Sequence, residues 1–374
     1  MRTIKITLLV LLLCSVLAVS SRSAEHATLP IGSAAPDFKL QGVDGKTYSL
    51  ASFGKAKILV IIFTCNHCPT AQAYEDRIIR LSTDYSAKGV AIVAISPNDP
   101  NAIRLDELGY TDMSDSYAEM KLRAANKHYN FPYLYDGKTQ EVSRAYGPAA
   151  TPHVFIFDQQ RKLQFQGRID DVENPKKIPN IQDTRNAIDA LLAGKTPEVS
   201  STKVFGCSVK WAEKETLNEN EKAGWAKEPV TVSMIDEAGV KELLKNNSDK
   251  LRLINVWATW CGPCVNELPG FIEMNHMYRR RDFELITISA DKPEVKEKVQ
   301  KFLTGIQASN TNYIFSIDDK YKLIEAIDPN WQGALPYTVL VEPGGKIVYA
   351  KQGMIDIAEM KKMIVENKLI GRYY

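Results

Sequence analysis

Leu253-Ile-Asn-Val-Trp-Ala-Thr-Trp-Cys-Gly-Pro-Cys264 is the stretch on which the reading of this chain turns. The apolar run from Leu251 to Trp257 predicts a buried strand, because β-branched and aromatic residues suit a sheet covered on both faces. It leads directly into Cys261-Gly-Pro-Cys264, and beyond it Leu268, Phe271, Ile272 and Tyr278 repeat at helical spacing. Cys261 is therefore expected at the first turn of a helix, where unpaired backbone N–H groups and the macrodipole stabilise a thiolate. Cys264, three residues on, falls on the same face and within reach of a small disulfide. Two thiols so placed are equipped for dithiol–disulfide exchange: one attacks, and the other resolves the mixed disulfide.

The pattern occurs twice. In the first half, Asp44-Gly45 marks a turn between two short strands, and Ile58–Phe63 predicts another buried strand leading into Cys65-Asn-His-Cys68. A helix follows with Ala71, Tyr74, Ile78 and Leu81 on one face, then a strand over 90–95 and a polar, partly helical insertion from Asn98 to Asn130. A strand over 131–135, a short helix over 140–146, a hairpin opened by Thr151-Pro152 and a helix over 181–192 complete the unit. The second half runs through a helix over 240–244, the strand and helix around Cys261, and strands over 283–289 and 313–317 alternating with helices over 293–303 and 321–327. A hairpin opened by Leu335-Pro336 and a helix over 357–367 close it. Strands alternating with helices make the chain α/β, an internal duplication with divergent filling. The join contains Thr196-Pro-Glu-Val-Ser-Ser and a charged tract over 213–222, and reads as a linker with some ordered tail around Phe205–Trp211. The expected division is a signal peptide at 1–23, a first domain at 25–212, a linker at 213–228 and a second domain at 229–374.

The chain has 374 residues, and its start is laid out for export. Arg2 and Lys5 precede the apolar run Ile6–Val19, and small residues follow from Ser20 to Ala24. The run is short for a membrane span, although an uncleaved anchor is the alternative. Lys and Arg number 47 and Asp and Glu 45; losing Arg2, Lys5 and Arg22 with residues 1–23 leaves 44 against 45. A near-neutral chain without a basic stripe gives nucleic acid no electrostatic footing. Export to an oxidising space, most simply the periplasm, permits stable disulfides. Beyond Cys14 in the apolar run, the cysteines are 65, 68, 207, 261 and 264, a redox allocation rather than a staple framework.

Trp-Cys-Gly-Pro-Cys after a hydrophobic strand resembles the thioredoxin superfamily, and Val256-Trp-Ala-Thr-Trp-Cys-Gly-Pro-Cys-x-x-Glu-Leu-Pro269 is similar to its exported, TlpA-like branch. The resemblance implies two tandem thioredoxin-like domains, each a central mixed β-sheet flanked by helices. It implies Cys261 as nucleophile and Cys264 as resolving thiol. Pro269 falls where that family kinks its active-site helix. Thioredoxins carry a buried Asp in the strand where this chain has Asn255. The TlpA-like branch instead places a carboxylate three residues after the second Cys, which assigns proton handling to Glu267; an exposed helix carboxylate is the alternative. In such folds the proline opening the later strand is cis and packs against Cys-x-x-Cys, and the residue before it offers its backbone to an incoming peptide. Substrate binding is accordingly assigned to Trp260, Leu335 and Pro336, and in the first domain to Thr151 and Pro152.

Residues 30–212 resemble a bacterial thioredoxin-like group placed with the redoxins (AhpC/TSA), through Phe63-Thr-Cys-Asn-His-Cys-Pro, Tyr74-Glu-Asp-Arg-Ile, Ser96-Pro-Asn-Asp and Phe205-Gly-Cys-Ser-Val-Lys-Trp. Peroxide-reactive cysteines in that group lie in Pro-x-x-x-Thr-x-x-Cys; here Ile58 and Ile62 precede Cys65, and Ile61 and Cys65 precede Cys68. Peroxidase-like antioxidant activity is therefore the alternative, and disulfide exchange by Cys65 and Cys68 against Thr151-Pro152 the main expectation. His67 adds positive charge beside the thiolate and should make this disulfide the more oxidising of the two. A metal at Cys65-x-His67-Cys68 is set aside, because a zinc ribbon needs a second nearby pair. Cys207 has no partner within either motif and is read as a small buried hydrophobe, with a thiol meeting Cys65 or Cys68 as the other reading. No organic cofactor is required. The partners implied are disulfide-containing or dithiol proteins and a membrane thiol electron donor. The rival to an enzyme is a binding module, most plausible for the first domain.

Overall fold

The computed structural model describes residues 26–174 and 176–372, so the expected signal peptide at 1–23 lies outside the described residues. Two sheets organise the chain. The first domain contains β1 (Lys39–Gly42), β2 (Thr47–Ser49), β3 (Ile58–Phe63), α1 (Pro69–Tyr85), β4 (Val90–Ser96), α2 (Tyr117–Asn126), β5 (Tyr133–Tyr135), α3 (Glu141–Tyr146), β6 (His153–Phe157), β7 (Leu163–Gly167) and α4 (Asp183–Leu192). Its strands lie in the order β2-β1-β5-β4-β3-β6-β7. β3, β4 and β5 run parallel, while β6 pairs antiparallel with β3 and brings His153 opposite Phe63. Every residue of β3 is buried, as its unbroken apolar run requires of a strand covered on both faces.

Between the sheets lies α5 (Glu215–Trp225), followed by the second domain: β8 (Ser233–Ile235), α6 (Glu237–Lys245), β9 (Leu251–Trp257), α7 (Gly262–Tyr278), β10 (Phe283–Ser289), α8 (Lys296–Gly305), β11 (Thr311–Phe315), α9 (Lys320–Ile327), β12 (Tyr337–Glu342), β13 (Lys346–Gln352) and α10 (Ile357–Glu366). The order is β13-β12-β9-β10-β11-β8, with β12 antiparallel to the wholly buried β9 and Thr338 opposite Asn255. Each sheet is therefore mixed, with the parallel strand that precedes a Cys-x-x-Cys helix at its centre and a Pro-led antiparallel strand beside it. This is a pair of tandem thioredoxin-like domains. Among the described residues, no helix is long and apolar enough to cross a membrane.

The stretch 213–228, expected as a linker, is a packed helix instead. Asn218 is buried and donates to the carbonyls of Asn101 and Ile103 at 2.7 and 2.9 Å, while Trp225 stacks on His276 of α7 with ring centroids 4.0 Å apart. Charged composition hid this, because the burying contacts come from only two of its side chains. The insertion after β4 also crosses between domains: Ile103 and Leu108 join the apolar core formed by Met274, Met277 and Tyr278 of α7. The Tyr278 hydroxyl donates to the Thr111 carbonyl at 2.9 Å, and Arg281 reaches the Gly109 carbonyl at 2.8 Å.

Candidate active sites

In the second domain, β9 delivers the chain through Thr259 to α7. The Thr259 N–H and hydroxyl both bond the buried Asp291 carboxylate, at 2.8 and 2.7 Å, which fixes the loop ahead of the cysteines. Cys261 is the N-cap of α7, Pro263 sits in its first turn, and the Cys264 N–H points at the Cys261 sulfur at 3.3 Å. A proline there costs little, because the first N–H groups of a helix have no partner within it. Cys261 and Cys264 form a disulfide with Cα atoms 5.3 Å apart. Cys261 retains 7% of its surface and Cys264 none, so an incoming thiol meets Cys261 first. Trp260 stands beside it, 58% exposed, with the Lys320 ammonium 4.3 Å over its ring. The Leu335-Pro336 peptide is cis.

Glu267 is buried on the inner face of α7 rather than exposed. It accepts from Asn255 and from the Ile355 N–H, each at 3.2 Å, and Asn255 also donates to Thr338 at 3.1 Å. Burial raises the Glu267 pKa above the ordinary value, against the lowering effect of those two hydrogen bonds. The residue at which this chain departs from thioredoxins, Asn255, thus holds the carboxyl that the TlpA-like pattern supplies.

The first site keeps the spacing but is assembled differently. Here the N-cap of α1 is Cys68, not Cys65, and Pro69 takes the first turn. Burial works against a thiolate at Cys68. It is outweighed by hydrogen bonding with Cys207 and Cys65 and by the charge of His67, which hold Cys68 well below an ordinary thiol. Cys65 is pushed well above one by burial, by its hydrogen bond with Cys68 and by the Asp115 charge. Of the two sulfurs Cys68 is the one held low, and it stands at the helix N-terminus as Cys261 does in the second domain.

His67 is buried too, and a residue that the sequence did not single out holds it. Asp115 accepts from its Nδ1 at 2.6 Å, from the Asn66 and His67 N–H groups at 2.7 and 3.0 Å, and from Asn98 at 2.6 Å. Burial would lower the His67 pKa, but the Asp115 charge raises it above the ordinary value. Among the described residues Nε2 has no hydrogen-bond partner, and His67 acts on the Cys68 sulfur through its charge. Donor atoms of Cys65, His67 and Asp115 lie within 4.8 Å of one another, a spacing that a metal ion accepts. Both Asp115 oxygens are already committed to the four hydrogen bonds above, however, and its chemistry fits an orienting carboxylate better than a ligand.

Cys207 belongs to this site and is not an isolated hydrophobe. It packs against Cys65, Cys68 and Ala71, and its N–H points at the Cys68 sulfur at 3.4 Å. Thr151, at the cis Thr151-Pro152 peptide, lies 3.2 Å from Cys65 through its hydroxyl and 3.3 Å from Cys68 through its carbonyl. Its backbone, assigned to an incoming peptide, is already paired antiparallel with Cys207, N–H to carbonyl at 2.9 Å.

Fold and paired sulfurs together define a thioredoxin-fold protein with two Cys-x-x-Cys centres. The AhpC/TSA family model matches residues 31–166 and again 229–350, and the chain belongs to that family. Among its relatives, a thiol-disulfide oxidoreductase ResA of Bacillus cereus is 30% identical over 130 residues, covering 35% of this chain and 70% of that protein. Among solved structures, an uncharacterized conserved protein from Geobacillus kaustophilus is 40% identical, covering 49% of this chain and 92% of that one with a TM-score of 0.43. A hypothetical protein from Sinorhizobium meliloti 1021 is 31% identical over 50% of this chain and 97% of its own, with a TM-score of 0.44.

Proposed function

We propose that the chain is an exported thiol–disulfide oxidoreductase whose substrate-facing centre is Cys261–Cys264. The observation that carries this reading is the pair's setting: a disulfide at the mouth of α7, with one sulfur reachable and an exposed aromatic beside it. In the reduced state the helix N-terminus favours the Cys261 thiolate, which attacks a protein disulfide docked over Trp260 and Leu335-Pro336. Cys264 then loses its proton, with Glu267 as the nearby acceptor, and attacks Cys261; the substrate leaves as a dithiol. The ResA relatives carry the name thiol-disulfide oxidoreductase, which supports the same reaction here. Basic residues followed by the apolar run 6–19 support export to the periplasm. In such a compartment a membrane thiol protein is the physically sensible electron donor. The functional units are residues 25–212 and 229–374.

Reduction of a model protein disulfide such as insulin, measured with the full-length protein carrying Cys65→Ser and Cys68→Ser so that only the second centre reports, tests the assignment. Cys261→Ser should abolish turnover, and Cys264→Ser should accumulate mixed disulfides visible on a non-reducing gel. Undiminished turnover in Cys261→Ser would sink the reading.

A further inference from the structure

The duplication lets one domain serve as the control for the other. At the second centre Trp260 is exposed, Cys261 is partly open, and the half-buried Leu335 has no backbone hydrogen bond to another segment among the described residues. At the matching position of the first domain, Thr151 is covered by the chain itself. Residues 200–212 run along this side of the sheet and are tied down throughout. Ser200 and Thr202 bond the Gln166 backbone, and Phe205 packs on Tyr74. Cys207 pairs with Thr151, Lys210 bonds Asn98 and Asp99, and Ala212 bonds the Gln140 side chain. Gly206 makes the approach possible: its φ is +135°, and a Cβ there would stand 2.1 Å from the Thr151 carbonyl oxygen. Cys65 and Cys68 are 3% and 0% exposed, whereas Cys207 is only half-buried.

We propose that residues 205–211 form a built-in substrate strand and that Cys207 is the exchange thiol through which outside disulfides reach the buried Cys65/Cys68 couple. Cys207, whose thiol is pushed up by its hydrogen bond with Cys68, gives its proton to Cys68 as it attacks an external protein disulfide; the substrate S–S bond breaks, a Cys207–substrate bond forms, and the leaving substrate sulfur takes that proton from Cys68. Cys68, returned to its thiolate, attacks Cys207. The Cys207–substrate bond breaks, the Cys68–Cys207 bond forms, and the second substrate thiolate leaves and takes up a proton. Cys65 then gives up its proton and attacks Cys68, expelling Cys207 as a thiolate that is reprotonated. In sum two electrons pass from Cys65 and Cys68 to the substrate together with the Cys65 proton and one proton from solvent, and Cys207 is regenerated. Run backwards, the sequence lets an external dithiol reduce the Cys65–Cys68 disulfide. The low pKa of Cys68 suits it both as attacking and as leaving sulfur.

The test uses the full chain carrying Cys261→Ser and Cys264→Ser, so that only this centre reports. Glutathione disulfide or an oxidised protein substrate is added, and the bonds formed are mapped by alkylation and peptide mass. With Cys65→Ser added, the Cys68–Cys207 disulfide should accumulate. With Cys207→Ser added, oxidation of Cys65/Cys68 by the protein substrate should slow by about tenfold or more, as a local thiol at high effective concentration is lost. Circular dichroism and the protection of Cys68 from alkylation control for folding. An unchanged rate in Cys207→Ser, or a Cys65→Ser chain that yields only Cys207–glutathione, would overturn the proposal. Neither outcome bears on Cys261 and Cys264, which the insulin assay reads separately.

Discussion

At the scale of single residues, the first centre depends on a carboxylate that lies far from it in the chain. Asp115 is 48 positions from His67, yet it is held below the ordinary carboxyl range, burial notwithstanding, by the His67 charge and by hydrogen bonds from His67 and Asn98. Their pairing contributes stability that is lost as pH falls through the lowered Asp115 pKa. It is lost again as pH rises through the raised His67 pKa, since each group then gives up the charge that its partner favours. Asp115→Asn strands a buried imidazole and should cost about 3–5 kcal/mol near neutral pH. Urea unfolding across pH should show a flatter profile than the parent, and ultraviolet titration of the thiolate should show the Cys68 pKa rising. No local pattern marks Asp115 in the sequence: it sits in an irregular polar insertion, where periodicity carries no signal. The Cys-x-x-Cys pairs were legible because each follows a strand whose phase is set by apolar spacing, whereas the roles of the two X-Pro positions and Glu267 came only from the family resemblance. Which cysteine of the first pair caps its helix was not legible, since that rests on a one-turn offset in where the helix begins. Sequence-based helix boundaries are uncertain by about as much as that.

Among the elements, the long apolar strands were the most legible, and β3, β9 and β10 have the expected bounds. Wholly buried strands advertise themselves through unbroken β-branched runs. α5 is the opposite case: its composition is charged, and the two side chains it buries are Asn218 and Trp225. The Trp225 contact reaches the last turn of α7, where burial, with help from the Arg279 charge, pushes the His276 pKa down to about 4. Trp225→Ala should remove the cover and cost about 3–5 kcal/mol as a large-to-small change at a buried aromatic. NMR titration should find the His276 pKa returning toward the ordinary histidine value, and limited proteolysis should find new cleavage within 215–225. A variant that melts and titrates like the parent would show that the helix is only laid against the domain.

Over the whole molecule, duplication was legible from the repeated order of strand, Cys-x-x-Cys helix, Pro-led hairpin and closing helix, which any one of these alone would not have established. How the copies meet was not legible. The junction is made largely by the insertion unique to the first copy, through Ile103 and Leu108, the Asp106–Arg280 and Asp112–Arg372 ion pairs, and backbone carbonyls that no residue pattern announces. At Gly109 a Cβ would come 2.8 Å from the Met277 carbonyl oxygen, so the two chains of atoms touch there without an intervening side chain. α7 is thereby shared: its first turn carries a redox sulfur, and its last turn belongs to the core that Ile103 and Leu108 complete. A laboratory that expresses residues 229–374 by themselves would strip the cover from Met277 and Tyr278 and leave an oily scar facing water. Light scattering should find that fragment clumping at concentrations where the intact chain stays dispersed, and a guest that restores the seal, such as a peptide spanning 99–115, should bring it back to monomer.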